Sequence, residues 1–323
     1  ATTEIYTLSL HDALPILFGK KSLSEFLREL KLEDSYKDRI VYWHTIEGRE
    51  AKTVSLPDDI DGRLAGALEK RGISSLYTHQ RTAYEKVRSG KSIVAVTPTA
   101  SGKTLCYNLP VLQSVIENPL TRALYIFPTK ALAQDQKSEI NELIQEAGLS
   151  VNSYTYDGDT PPTVRRKVRK AGHVVITNPD MLHTAILPHH TKWVALFENL
   201  KYVVIDELHI YRGVFGSHVA NVIRRLRRIC RFYGSDPVFI CTSATIANPV
   251  ELAEQLTEKK MELVDNNGAP SGTKHFLFYN PPVINKPLNI RRSATLEAVR
   301  IAGELLKNKI QTIVFARSRV RVE

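Results

Sequence analysis

Eight consecutive residues, Thr97-Pro-Thr-Ala-Ser-Gly-Lys-Thr104, have the make-up of a loop that wraps phosphate. Successive backbone N–H groups from Thr99, Ala100, Ser101 and Gly102, reinforced by the dipole of a following helix, form a fixed anion site. Lys103 adds a mobile charge for the β- and γ-phosphates, and Thr104 offers a hydroxyl to Mg²⁺. About a hundred residues later comes Asp206-Glu-Leu-His209. There Asp206 is placed to hold Mg²⁺, directly or through water, and Glu207 to orient and deprotonate an attacking water. Together the two motifs specify hydrolysis of a nucleoside triphosphate.

Both motifs need an element to aim them. The apolar run Lys91-Ser-Ile-Val-Ala-Val96 reads as a buried strand before the loop, and residues 105–116 carry apolar side chains at helical spacing after it. A chance Gly-Lys-Thr on a surface turn would lack that strand–loop–helix context. The acidic pair follows Leu200-Lys-Tyr-Val-Val-Ile205, which suits a central parallel strand whose carboxyl end faces the ligand crevice. Strands are also predicted at 123–127, 174–176 and 238–241, alternating with helices. This pattern indicates an α/β fold with a doubly wound parallel sheet.

The ends of those strands carry further polar groups: Pro128-Thr-Lys130, Thr177-Asn-Pro-Asp180 and Thr242-Ser-Ala-Thr245. Small hydroxyls, a lysine and helix N-termini on one rim suit a phosphate backbone. Some two dozen residues before the loop stands Gln80, whose amide can bond adenine through both its ends. Arg224, Arg225, Arg227, Arg228 and Arg231 alternate with apolar residues and read as the solvated face of an amphipathic helix rather than a nucleic-acid footprint. Residues 165–170 form a second basic helical stretch. His189 and His190 lack companions at ligand spacing and read as loop residues.

The formal charge is +10, which favours an anionic partner, and 43% apolar residues suffice for packed cores. No segment approaches a membrane span. Cys106, Cys230 and Cys241 have neither metal-ligand nor disulfide spacing and suit reduced, buried thiols in a cytoplasmic protein. Residues 1–16 resemble a translated sequencing adapter and are set aside. They hold Glu4 and Asp12 and no Lys or Arg, so the remainder carries +12. Residues 17–75 read as an accessory N-terminal segment, with a capping-box helix from Ser22 and another helix over 61–71. Residues 76–265 form the nucleotide-binding domain and 266–290, rich in turn residues, an interdomain passage. Residues 291–323 read as the truncated start of a second domain, with a helix expected over 294–307 and a strand over 311–316.

Taken in order, Gln80, TPTASGKT, FPTKALAQDQ, TNPDMLH, DELH and SAT resemble the motifs of a superfamily 2 helicase of the DEAD/DEAH-like kind. More narrowly, residues 205–218 are similar to those of bacterial helicases of the mitomycin repair factor A type. The resemblance runs from about Lys20 to Glu323. It implies two RecA-like domains, ATP and Mg²⁺ as cofactors, and ATP-driven 3′→5′ translocation on single-stranded DNA during repair. It also implies that Gln80 selects adenine and that Ser243, Thr245 and His209 couple hydrolysis to domain movement. Thr129, Lys130, Asn178, Asp180 and Arg317 fall in the strand-contacting motifs. The family's arginine finger and its C-terminal metal region have no counterpart among these residues. An RNA helicase is the alternative, since backbone contacts do not choose the sugar. So is a module that binds ATP and nucleic acid without turnover. No protein partner is legible.

Overall fold

The structure, a computed structural model, describes residues 21–315. Seven strands form one parallel sheet: β1 Ile93–Val96, β2 Arg122–Ile126, β3 Ser153–Thr155, β4 Val174–Thr177, β5 Leu200–Ile205, β6 Val238–Ser243 and β7 Glu262–Val264. Their spatial order is β7-β1-β6-β5-β2-β4-β3. Side chains alternate across the pleat, so each of the five inner strands feeds two cores. Val94, Val96, Val203 and Ile205 enter one cluster, whereas Ile93, Ala95, Tyr202 and Val204 enter the other. Burial on both faces explains why these strands read as continuous apolar runs rather than alternating ones.

Register brings the strand ends level. Val96 lies opposite Ser243, Ile205 opposite Cys241, and Ile126 opposite both Ile205 and Thr177. Every segment that leaves a carboxyl end therefore emerges on one rim. The helices that return from it are α1 Thr78–Arg88, α2 Lys103–Glu117, α3 Lys130–Glu146, α4 Pro162–Ala171, α5 Gly213–Phe232 and α6 Pro249–Thr257. α1 precedes β1 and packs beside α2. The inner face of α5 buries Val219, Ile223 and Leu226, which leaves Arg224, Arg228 and Arg231 outside. Arg224 and Arg227 pair with Glu258 at 2.7 and 3.1 Å. The three cysteines are buried and unpaired, and burial pushes their thiols up to about 12, 11 and 12 for Cys106, Cys230 and Cys241.

Contacts divide the chain into residues 49–271, which hold the sheet, and a second unit of the segments up to 48 and from 272 onward. The residues read as one accessory segment are thus split, because Thr53–Ser55 pairs antiparallel with Ser75–Tyr77 within the unit that holds the sheet. Within the second unit, the helix Leu23–Leu32 opens on the predicted capping box. Ser22 Oγ accepts from the Glu25 N–H at 3.2 Å, and Glu25 accepts from the Ser22 N–H at 2.7 Å.

The stretch read as a passage, 266–290, contains the strand Lys274–Tyr279, paired antiparallel with Ile40–Ile46. Pairing across more than two hundred residues leaves no local periodicity to read. Residues 311–315, predicted as strand, pair with no other strand among the described residues. The leader 1–16 and Arg317 lie outside the described residues. Among those described, no helix is long and apolar enough to cross a membrane.

Candidate nucleotide site and the rim around it

The phosphate loop owes its shape to two left-handed residues, Ala100 at φ +60° and Gly102 at φ +73°. At Gly102 the left-handed φ would strain any side chain, and a Cβ would stand 2.6 Å from Gln80 Nε2, displacing that amide. Thr97 and Ser101 are buried and joined through their hydroxyls at 2.6 Å. This pins the two ends of the loop together while Thr99 and Ala100 stay exposed. Lys103 Nζ donates to the carbonyls of Thr97 and Pro98 at 3.0 and 3.2 Å, and Thr104 is half-buried beside it.

Beyond β5, Asp206 accepts from the Glu207 N–H at 2.8 Å and from the Thr242 hydroxyl. Burial raises the Asp206 carboxyl above its ordinary range, against those two hydrogen bonds and the nearby Lys103 charge. Burial also raises Glu207, and the neighbouring Asp206 charge adds to the shift. Glu207 has φ +53°, a strained conformation for a residue with a side chain. Its carboxylate lies 3.2 Å from His209 Nδ1, which itself lies 3.4 Å from the Ala244 amide nitrogen. The acidic motif and the residues ending β6 thus touch, and Lys103 is within electrostatic reach of both carboxylates.

Other expected site residues are placed less simply. Both ends of the Gln80 amide are engaged inside the protein, Oε1 accepting from the Tyr77 N–H and Nε2 donating to the Gly102 carbonyl, each at 2.9 Å. One lone pair and one hydrogen remain for a base. Ser243 is fully buried and its hydroxyl has no partner, whereas Thr245 is exposed. Thr129 and Asn178 are helix caps, accepting from the amides of Leu132 and Met181 at 3.3 and 2.9 Å. Asp180 is exposed, and Lys130 Nζ is bound by Asp159 at 2.7 Å. These four stand at the ends of neighbouring strands β2 and β4, on the same rim as the phosphate loop.

Sequence reading overlooked three participants. Thr242, not its neighbour Ser243, donates its hydroxyl to Asp206. His79, beside Gln80, is completely buried against the loop. The loop Asp157-Gly-Asp-Thr160 leaves the short edge strand β3, whose three residues are too few to show a period. Asp157 organises it by accepting from the Asp159 amide at 3.0 Å and the Thr160 hydroxyl at 2.9 Å. Arg165 braces it from α4 by donating to the Thr160 carbonyl at 2.8 Å.

The residues present fit a magnesium nucleotide. A glycine stands where a Cβ would collide, an ammonium is held only by loop carbonyls, and a buried Ser243 hydroxyl lacks a partner. A phosphate loop and an acidic pair on the carboxyl rim of a parallel sheet define a RecA-like P-loop nucleotide-binding domain. The family model for the DEAD/DEAH box helicase matches residues 77–253, and the chain belongs to that family.

Among known proteins it is similar to the uncharacterized ATP-dependent helicase YprA of Bacillus subtilis, with 73% identity over 304 residues, 94% of this chain and 40% of YprA. The ATP-dependent helicase hrq1 of Schizosaccharomyces pombe is 37% identical over 311 residues, 94% of this chain and 29% of its own length. A crystal structure of the DUF1998 helicase MrfA bound to DNA and AMPPNP superposes with a TM-score of 0.90 at 72% identity. That match covers 94% of this chain and 42% of MrfA. The chain therefore spans less than half the length of these relatives.

Proposed function

We propose that this chain is the nucleotide-hydrolysing part of an ATP-dependent DNA helicase that couples ATP hydrolysis to movement along single-stranded DNA in repair, in the cytoplasm. The observation that carries the reading is the convergence of Lys103, Asp206, Glu207 and the end of β6 on one rim. Lys103 and the loop amides bind the phosphates, and Gln80, already fixed to Gly102, offers its remaining amide capacity to adenine. Thr104 and Asp206 are the residues that would hold Mg²⁺, which when bound neutralises charge developing on the phosphates.

Glu207 orients the attacking water and takes its proton, and its raised pKa makes it a stronger base than an exposed glutamate. The Thr242 hydroxyl aims Asp206 and opposes the effect of its burial. Ser243, Thr245 and His209 form the coupling group, since His209 joins Glu207 to the backbone that follows β6. Thr129, Lys130, Asn178 and Asp180, with Arg317 further along the chain, contact the nucleic-acid backbone.

DNA is preferred to RNA because MrfA, at 72% identity, is a structure bound to DNA. The chain alone is expected to bind nucleotide and single-stranded DNA with little turnover, since an arginine supplied across the cleft is worth ~10³–10⁵ in rate in related hydrolases. The test is an ATPase assay with single-stranded DNA, RNA or no nucleic acid, run on this chain and on a full-length relative. Stimulation of the relative by RNA alone would overturn the DNA assignment. DNA-stimulated turnover of this chain at the relative's rate would overturn the expectation of low activity.

A further inference from the structure

His79 has no role in the proposed chemistry. It is fully buried at the start of α1, its ring stacked on Tyr77 at 5.9 Å, and both ring nitrogens meet backbone. Nδ1 lies 3.3 Å from the Gly268 N–H, which leaves it only the role of acceptor. The proton therefore sits on Nε2, which donates to the Ser101 carbonyl at 3.0 Å. Burial and the nearby Lys103 and Arg49 charges favour this neutral ring, opposed only by the Ser101 bond. One imidazole thus spans the phosphate loop and the segment by which the chain leaves the sheet domain.

That segment is tightly seated. Gly268 accepts from the Lys52 N–H at 2.8 Å, and a Cβ on it would lie 2.4 Å from the Lys52 carbonyl and 2.5 Å from Thr78 Oγ1. Thr78 Oγ1 donates to the Asn266 carbonyl at 2.7 Å. Arg49 and Ser271 exchange both backbone hydrogen bonds, at 2.9 and 3.0 Å. Residues 266–271 are therefore held as a unit, and the only side chain joining them to the phosphate loop in these hydrogen bonds is that of His79.

We infer that His79 is a positioning residue that fixes the Ser101 carbonyl of the phosphate loop and, through Gly268, links nucleotide binding to the order of residues 266–271. The inference rests on the phosphate loop being the nucleotide site. When nucleotide rigidifies the loop, the ring is held more firmly and Gly268 with it, and the coupling is reciprocal by linkage. The two ring nitrogens can be separated by substitution. His79→Gln keeps a donor near the Nε2 position and loses the acceptor for Gly268. His79→Asn keeps an acceptor near Nδ1 and loses the donor to Ser101.

The experiment measures Mg-ADP affinity and amide exchange over 266–271 in the whole chain. In the unsubstituted protein Mg-ADP is expected to slow exchange at Gly268 by about tenfold, the scale of one hydrogen bond. His79→Gln should bind Mg-ADP within about threefold of the parent yet lose that slowing. His79→Asn should keep the ligand-free protection of Gly268 and bind Mg-ADP about tenfold more weakly. Unchanged exchange at 266–271 on adding Mg-ADP to the parent protein would sink the proposal without recourse to any variant. Parent-like behaviour of both variants would do the same. Lys103→Ala serves as the control: if it too left Mg-ADP affinity intact, the nucleotide-site reading itself would fail.

Discussion

Glu207 shows how residue chemistry and backbone geometry combine. It occupies a left-handed conformation with its carboxylate beside Asp206 and His209, so its strain serves position rather than stability. Glu207→Gln keeps the size and removes the base. In a full-length relative this change should lower kcat by about 10²–10⁴ while nucleotide affinity changes little. Burial and the Asp206 charge raise the Glu207 pKa, so the acid limb of the pH–rate profile should lie above the ordinary glutamate range. Activity should fall as pH drops through that limb, where the base becomes protonated. A limb at the position of an unperturbed glutamate would contradict the assignment.

At the scale of elements, the turn from the acidic motif into α5 depends on a close backbone approach at Gly216. A Cβ on Gly216 would lie 2.5 Å from the Tyr211 carbonyl oxygen and 2.7 Å from its carbon, both backbone atoms that cannot swing aside. Gly216→Ala must therefore push the first turn of α5 away from the segment carrying Asp206 and Glu207. A loss of about 1–3 kcal/mol is expected, seen as a Tm lowered by several degrees. An unchanged Tm would mean that this turn is looser than its contacts show. The motif Tyr211-Arg-Gly-Val-Phe-Gly216 was legible as a pattern. Its reason is a backbone approach that only the folded turn displays.

At the scale of the whole molecule, the second unit depends on a buried charge cluster. Glu297 is 1% exposed and accepts from the Tyr279 hydroxyl at 2.7 Å, Arg292 at 2.9 Å and Arg300 at 3.2 Å. The Tyr279 hydroxyl and the two guanidinium groups hold its carboxyl at about 2, below the 4.5 of a free glutamate. A depressed carboxylate contributes stability that is complete above the unfolded pKa and lost as pH falls through the folded one. Amide protection of Ile40–Ile46 and Lys274–Tyr279 should therefore decline between about pH 4.5 and pH 2. Glu297→Gln should weaken the same amides by about 1–3 kcal/mol at neutral pH. If this substitution left the acid-induced decline unaltered, another carboxylate would be responsible.

Much of the candidate site was legible in residues 97–104 and 206–209, because each motif is a contiguous stretch whose chemistry depends on residue type and whose strand is a continuous apolar run. The fold class was readable for the same reason: alternating strands and helices of these lengths have few ways to pack. Tertiary structure alone decided what depends on chain segments meeting across distance. It joined Ile40–Ile46 to Lys274–Tyr279, gave Asp206 the hydroxyl of Thr242, and set Asp159 on Lys130. It also placed His79 between Ser101 and Gly268. Local pattern reports which face of an element is buried. Which partner buries it is settled only when the whole chain has paid its entropy and closed its long-range contacts.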